Sequence, residues 1–344
     1  MIKAAVKYGA LSAKLHGMYG KMLKESDWQR LDSMNSVREV IQYLASSPGF
    51  KDAGLTVSVS GTGISMSGLA ESMGRQVEAD RQKLYLHMPK EDREYFAFDI
   101  HREEYMYILW SMRRLHSREA SMPPAPSRQA AEKSRLDFEV LKTAASFSDI
   151  CRAASKTVYA PVLRALEEGV AKGETGYGIV SFALENQYYS RLYDFLVKKY
   201  KGGDKKRIKE SLGEEADMTN IIHILRMHRH FQSSLSGAAQ ALIPVRRRLT
   251  AELAEELINA QDENAAAAIL RDSYWKSLFS DYTPRRLEEL SEKARTHKYY
   301  KMFRSPVPGI TMAEGYLGLK QAQCLRLIRL ISALKYRQAK AWNN

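Results

Sequence analysis

The sequence predicts an all-α protein made of three similar helical domains. Apolar residues recur at three- and four-residue spacing along most of the chain. Ser, Thr and Asp stand where such runs begin, and Pro or Gly where several end. Related patterns also return at about a third of the 344 residues, whereas strand-like alternation is confined to Leu55–Ser60.

Taken in order, Tyr8, Leu11, Leu15, Met18, Met22 and Leu23 form a helical stripe within Tyr8–Leu31. Ser36 is the expected cap of a helix through Val40, Ile41 and Leu44, stopped by Ser47-Pro48-Gly49. Gly61-Thr62-Gly63 follows the short strand as a surface loop, because it lacks the lysine of a P-loop and the third glycine of a dinucleotide motif. A long helix through Met73, Val77 and Leu84 ends near Pro89. Asp99 then suits a helix cap, with Glu103, Met106, Tyr107 and Trp110 on its face.

Pro123-Pro124-Ala125-Pro126 marks a linker over 121–127, since consecutive prolines favour an extended spacer. Helices are expected through Leu141–Ala154, Tyr159–Glu168 and Ile179–Tyr200, with a basic loop over Lys198–Lys209. Asp217 is the next expected cap. Asn220 stands three positions later as its capping-box partner, and Asp217, Asn220, Ile221, Ile224, His228 and Phe231 share one face. Further helices run through Leu249–Ile258 and Asp262–Leu270, and Thr283-Pro284 opens another. Thr311 and Glu314 form a capping box for a long final helix. Tyr316, Leu327, Leu330, Ile331 and Leu334 share one side of it, and Arg326, Arg329, Arg337 and Lys340 make a basic stripe on a flank.

Phe50, Tyr159 and Tyr274 each close a small helix, 109 and 115 residues apart, and Asp99 and Asp217 are 118 apart. The expected domains are 1–120, 128–240 and 241–344, joined in the first instance by the 121–127 linker.

The net charge of +13 favours an acidic counterpart: nucleic acid, anionic lipid or an acidic protein surface. No run of 18 or more apolar residues is present, so no bilayer-spanning helix is expected. Lys3, Lys7, Lys14 and Lys21 occupy the stretch where the apolar core of a secretory signal would sit, and a cytoplasmic protein is expected. Cys151 and Cys324 match no metal or redox spacing and read as reduced thiols.

His223 and His230 share a helix face, yet nothing nearby in sequence completes a ligand set, so no metal is expected. No nucleophile elbow or paired carboxylates suggest catalysis; Glu167-Glu168, Glu214-Glu215, Glu255-Glu256 and Glu288-Glu289 read as solvated helix faces. Arg246-Arg247-Arg248, Lys198–Lys209, Lys298–Arg304 and the final stripe would suit phosphate contacts. A basic all-helical nucleic-acid-binding scaffold is therefore the alternative reading.

Asp217-Met218-Thr219-Asn220-Ile221 with Arg226 resembles a segment of the C-type stalk component of the A/V-type ATPases, whose vacuolar equivalent is the d-type component. Tyr316-Leu317 with Lys320 resembles that family's closing helix, and Tyr8–Leu31 with Ser36–Leu44 its first helices. Three positions depart from its pattern: Arg102 replaces an Asn, Pro48-Gly49-Phe50 replaces Thr-Xaa-Tyr, and Gln321 and Gln323 replace glutamates. The resemblance implies a funnel-like arrangement of three helical domains on the cytoplasmic face of the membrane. It implies a central-stalk subunit that grips the axle and seats on the rotor ring. No catalytic residue, cofactor, metal, small-molecule substrate or nucleic acid is implied.

Overall fold

A computed structural model describes residues 2–51, 65–116, 126–230 and 242–342. Every regular element among them is helical and none is a strand, as the patterns predict. The expected strand Leu55–Ser60, the Gly61-Thr62-Gly63 loop, Phe231 and most of the proline-rich linker lie outside the described residues. The chain forms two compact units. One comprises Met1–Tyr95, Ser121–Ala131 and Tyr299–Asn344, and the other Phe96–Ala120 and Glu132–Lys298.

The first unit contains α1 (Ile2–Tyr19), α2 (Glu25–Asp32), α3 (Val37–Ser46) and α4 (Met66–His87). Tyr8, Leu11, Leu15 and Met18 form the buried stripe of α1. The expected continuation to Leu31 is broken into two helices: α1 ends before Gly20, and Lys24 opens α2, its N–H bonding Asp27 Oδ2 at 2.7 Å. Ser36 caps α3 as expected, accepting the Glu39 N–H at 3.2 Å, and Val37, Val40, Ile41 and Leu44 are buried.

The helix α5 (Arg93–His116) begins six residues before Asp99. A single 3-10 turn over Lys90–Asp92, closed by Asp92 N–H onto the Pro89 carbonyl at 2.9 Å, sets that start. Asp99 is thus inside a helix and is not its cap. There follow α6 (Arg128–Lys133), α7 (Phe138–Thr143), α8 (Phe147–Ala153), α9 (Ala160–Ala171), α10 (Tyr177–Lys199) and α11 (Gly202–His230). The expected basic loop Lys198–Lys209 is helical apart from Tyr200 and Lys201. Gly202, at φ 57°, takes the left-handed turn that an L side chain resists, so the second helix restarts at once.

The second unit continues with α12 (Ala251–Ile258), α13 (Glu263–Arg271), α14 (Lys276–Phe279) and most of α15 (Leu287–Phe303). Its core joins Ile221, Ile224 and Leu225 of α11 to Leu257, Ala266, Leu270 and Phe279. The last helix, α16 (Ile310–Trp342), belongs to the first unit and packs on α4, α1 and α3. Gly315 and Gly318 admit the end of α15: a Cβ on Gly315 would stand 2.6 Å from the Phe303 nitrogen and 2.7 Å from the Tyr299 carbonyl.

Candidate functional site: helix pairs pinned by long helices

Among the described residues, three pairs of short helices share one build: α2–α3, α7–α8 and α12–α13. The second helix of each has a side-chain cap, Ser36, Ser146 or Asp262, which accepts the N–H of Glu39, Asp149 or Ala265. A hydroxyl residue then folds back on the helix it leaves. Ser47 donates to the Tyr43 carbonyl at 2.9 Å, Thr157 to Ala154 at 2.8 Å and Ser273 to Leu270 at 2.8 Å. A buried aromatic follows in each: Phe50, Tyr159 and Trp275. Tyr274, expected to fill this place, is 58% exposed. The turn puts the second residue after Ser273 inward, as it does after Thr157, so the third aromatic is Trp275.

Each pair is held by one long helix. For α12–α13 that helix is α11. Asp217 accepts three consecutive main-chain N–H groups, from Arg247, Arg248 and Leu249, the shortest at 2.6 Å. Burial raises the Asp217 pKa, and these N–H donors oppose the rise. Asn220 donates to the Ile243 carbonyl at 3.0 Å and accepts its N–H at 2.9 Å. At the far end His228 Nε2 meets the Leu257 carbonyl at 2.7 Å, and Arg229 pairs with Glu263 at 2.9 Å. Asp217 therefore does not cap its own helix. Because α11 starts at Gly202, the Asp217 peptide lies in mid-helix and its fully buried carboxylate serves another segment. The predicted face is otherwise as the structure has it, with Ile221, Ile224 and His228 buried beside Asp217 and Asn220.

For α7–α8 the holding helix is α5. Glu104, 3% exposed, accepts from Ser134 Oγ at 2.7 Å, and Ser111 and Arg114 donate to the carbonyls of Leu141 and Ala144. Tyr159 donates to the His101 carbonyl at 2.8 Å. The counterpart of Asp217 is thus Glu104 and not Asp99, which lies five residues too early.

For α2–α3 the holding helix comes from the other end of the chain. On α16, Gln323 donates to the Leu23 carbonyl at 3.2 Å, and Lys320 Nζ donates to the Gly49 carbonyl at 3.1 Å while lying 3.9 Å from the Phe50 ring centre. Burial lowers the Lys320 pKa. Thr311 and Glu314 do not form the expected capping box. The helix begins at Ile310, which places Thr311 inside its first turn, and the Glu314 carboxylate takes the Tyr95 hydroxyl at 2.5 Å.

The basic stripe divides. Arg326 is committed within the molecule, 3.2 Å from Asp32 and 3.9 Å from the Trp28 ring centre. Arg329 is exposed. Arg337 and Lys340 contribute main chain to α16.

Sequence reasoning missed the ionic cluster of the second unit. Glu215 on α11 receives Arg102 at 3.0 Å and Lys298 at 2.5 Å. Burial by itself would raise the Glu215 pKa, but Lys298 and Arg102 hold it well below the carboxylate range. Arg102 also lies over the Tyr188 ring at 5.2 Å. Nothing local marks Glu215, because both cations come from distant segments. His223 likewise finds its partner far away, with Nε2 2.8 Å from Glu185.

The geometry defines an all-α protein of repeated short-helix pairs, each locked to a long helix through buried polar groups. No helix among the described residues is long and apolar enough to cross a membrane. A family model for the ATP synthase (C/AC39) subunit matches residues 11–341, and the chain belongs to that family of A/V-type ATPase subunits. Comparison with curated proteins found no match.

Proposed function

We propose that this chain is a non-catalytic central-stalk subunit that couples the axle of a rotary A/V-type ATPase to its membrane rotor ring. In this reading torque passes through it between ATP hydrolysis or synthesis and proton or sodium translocation, at the inner face of the membrane. The observation that carries the proposal is the family match over residues 11–341. The pinned pairs support it physically. A part that transmits torque must not shear internally, and satisfied buried polar groups fix how helices meet. Three domains over 1–120, 128–240 and 241–344, each built on one pair, are part of the same proposal.

The test is recovery from detergent-solubilised membranes through a tag on this chain. Axle and rotor-ring subunits are expected to be recovered together with it, and depletion of the chain is expected to leave the catalytic head separated from the ring. Recovery with neither axle nor ring overturns the reading. A salt-sensitive complex with RNA or DNA in place of those subunits would establish the nucleic-acid scaffold instead.

A further inference from the structure

Comparison of the three helix pairs isolates a surface that the fold does not require. The segments entering the pairs have main-chain duties: Leu23 and Arg247–Leu249 bond Gln323 and Asp217 through backbone atoms. Leucine ends all three segments, whereas the side chains before it differ. The third segment reads Arg246-Arg247-Arg248-Leu249, where the first has Lys21-Met22-Leu23 and the second Ser134-Arg135-Leu136.

The three arginines point to different surroundings. Arg247 turns to Glu214 and stands 3.8 Å from Glu210, so it is neutralised within the molecule. Arg246 is exposed, and its charge also acts on the buried Asp217 carboxylate. It lines a groove of about 660 Å³ between α10 and α11, together with Tyr193, Asp194, Lys209 and the apolar Pro244-Val245. Lys209 lies over the Tyr193 ring at 5.2 Å. Arg248 is exposed and lies over the Tyr274 ring at 4.7 Å. Tyr274 itself packs edge-on against Trp275, with centroids 5.3 Å apart. At the place of Tyr274 the other two pairs have Val158 and Gly49, so an exposed aromatic there serves nothing that the repeat needs. Exposed Tyr and Arg held in place by neighbours are the side chains that anchor protein interfaces.

We propose that this groove, together with Arg248, next in the chain to the lining Arg247, and the Tyr274 ring that Arg248 covers, is a docking surface for an extended acidic peptide segment of a protein partner. Arg246, Lys209 and Arg248 supply the complementary charge, and Pro244-Val245, Tyr193 and Tyr274 supply apolar contact for the peptide between its carboxylates. Asp194 and Glu210 on the same lining repel carboxylates and phosphates alike, and the apolar Pro244-Val245, which a peptide side chain can cover and a run of phosphates cannot, favours a peptide over a nucleic-acid backbone. The surface lies within one compact unit and is independent of the coupling role.

The experiment is fluorescence polarisation of a labelled poly-glutamate peptide against the full chain, with labelled duplex DNA as a second probe. The combined variant Arg246→Ser, Arg248→Ser, Tyr274→Ala is expected to bind the peptide about tenfold more weakly. Removing equal charge at the second pair, by Arg135→Ser with Lys156→Gln, is expected to change binding by less than about twofold. The surface is refuted if the control variant weakens binding equally, if the chain does not bind the peptide, or if DNA binds more tightly and through the same residues. Should the combined variant lose its helical circular-dichroism signal, Tyr274→Ala alone decides: about threefold weaker binding supports the surface and no change refutes it.

Discussion

Asn220 holds both main-chain polar groups of Ile243, donating to the carbonyl at 3.0 Å and accepting the N–H at 2.9 Å, with no exposed surface of its own. A side-chain amide here does the work of a strand neighbour in a protein that has no strand among its described residues. Asn220→Leu strands a buried donor and a buried acceptor, each costing about 1–3 kcal/mol. Thermal denaturation is expected to show a midpoint lower by several degrees. An unchanged midpoint would mean that water replaces the amide.

Glu215 sits between Arg102 and Lys298, and its replacement by Gln removes the carboxylate that both cations share. The expected loss at neutral pH is about 3 kcal/mol, measured by urea unfolding. The sign of the pH dependence follows from the lowered folded pKa. The contribution is full above the unfolded value of about 4.3 and is lost as pH falls through the folded value. The gap between wild type and Glu215→Gln should therefore narrow on acidification to about pH 3. A gap that stays constant would show that the ion pairs are not its source.

Gly315 leaves no room for a methyl group against the main chain of Phe303 and Tyr299. Gly315→Ala would normally strengthen a helix, yet here it should destabilise by about 1–3 kcal/mol, because the obstructing atoms are backbone. A calorimetric midpoint equal to or above wild type would refute the close approach.

The two exposed members of a stripe can have different employment. Arg326→Ala is expected to cost about 1 kcal/mol, through loss of Trp28 and Asp32, with no effect on assembly. Arg329→Glu with Arg337→Glu is expected to weaken co-purification of the rotor ring while leaving the melting point in place. Undiminished ring recovery would show that these arginines take no part in ring contact.

Burial pushes the Cys151 thiol up to about 12 and the Cys324 thiol up to about 11. Neither is a thiolate at about pH 8, so iodoacetamide should label both only after unfolding. Labelling of the native chain at the rate of free cysteine would contradict their burial.

Much of the architecture was legible in local patterns. Ser36, Asp262 and the hydroxyl turns stand where helices begin and end, and those signals act over three or four residues. The buried face of Asp217, Asn220, Ile221 and Ile224 was legible for the same reason, since a helix repeats within four residues. What could not be read was the destination of the polar groups on it. Asp217 looks like a cap because caps are the commonest local use of Asp, but its donors lie 30 residues downstream. Asp99 shares its spacing and its residue type, yet the equivalent position is filled by Glu104. Spacing between repeats thus drifts by several residues when linkers differ in length. Gln323 stands out in the sequence only as a departure from the family pattern, because its acceptor, the Leu23 carbonyl, lies 300 residues away.

That the α2–α3 pair is clasped by α16 has a consequence for biosynthesis. A ribosome releases residues 20–50 long before it reaches Lys320, so the opening stretch of the nascent chain must wait, incompletely enclosed, for the closing one. The pairs α7–α8 and α12–α13 meet the helices that hold them soon after emergence, which makes the beginning of this polypeptide the last part to mature.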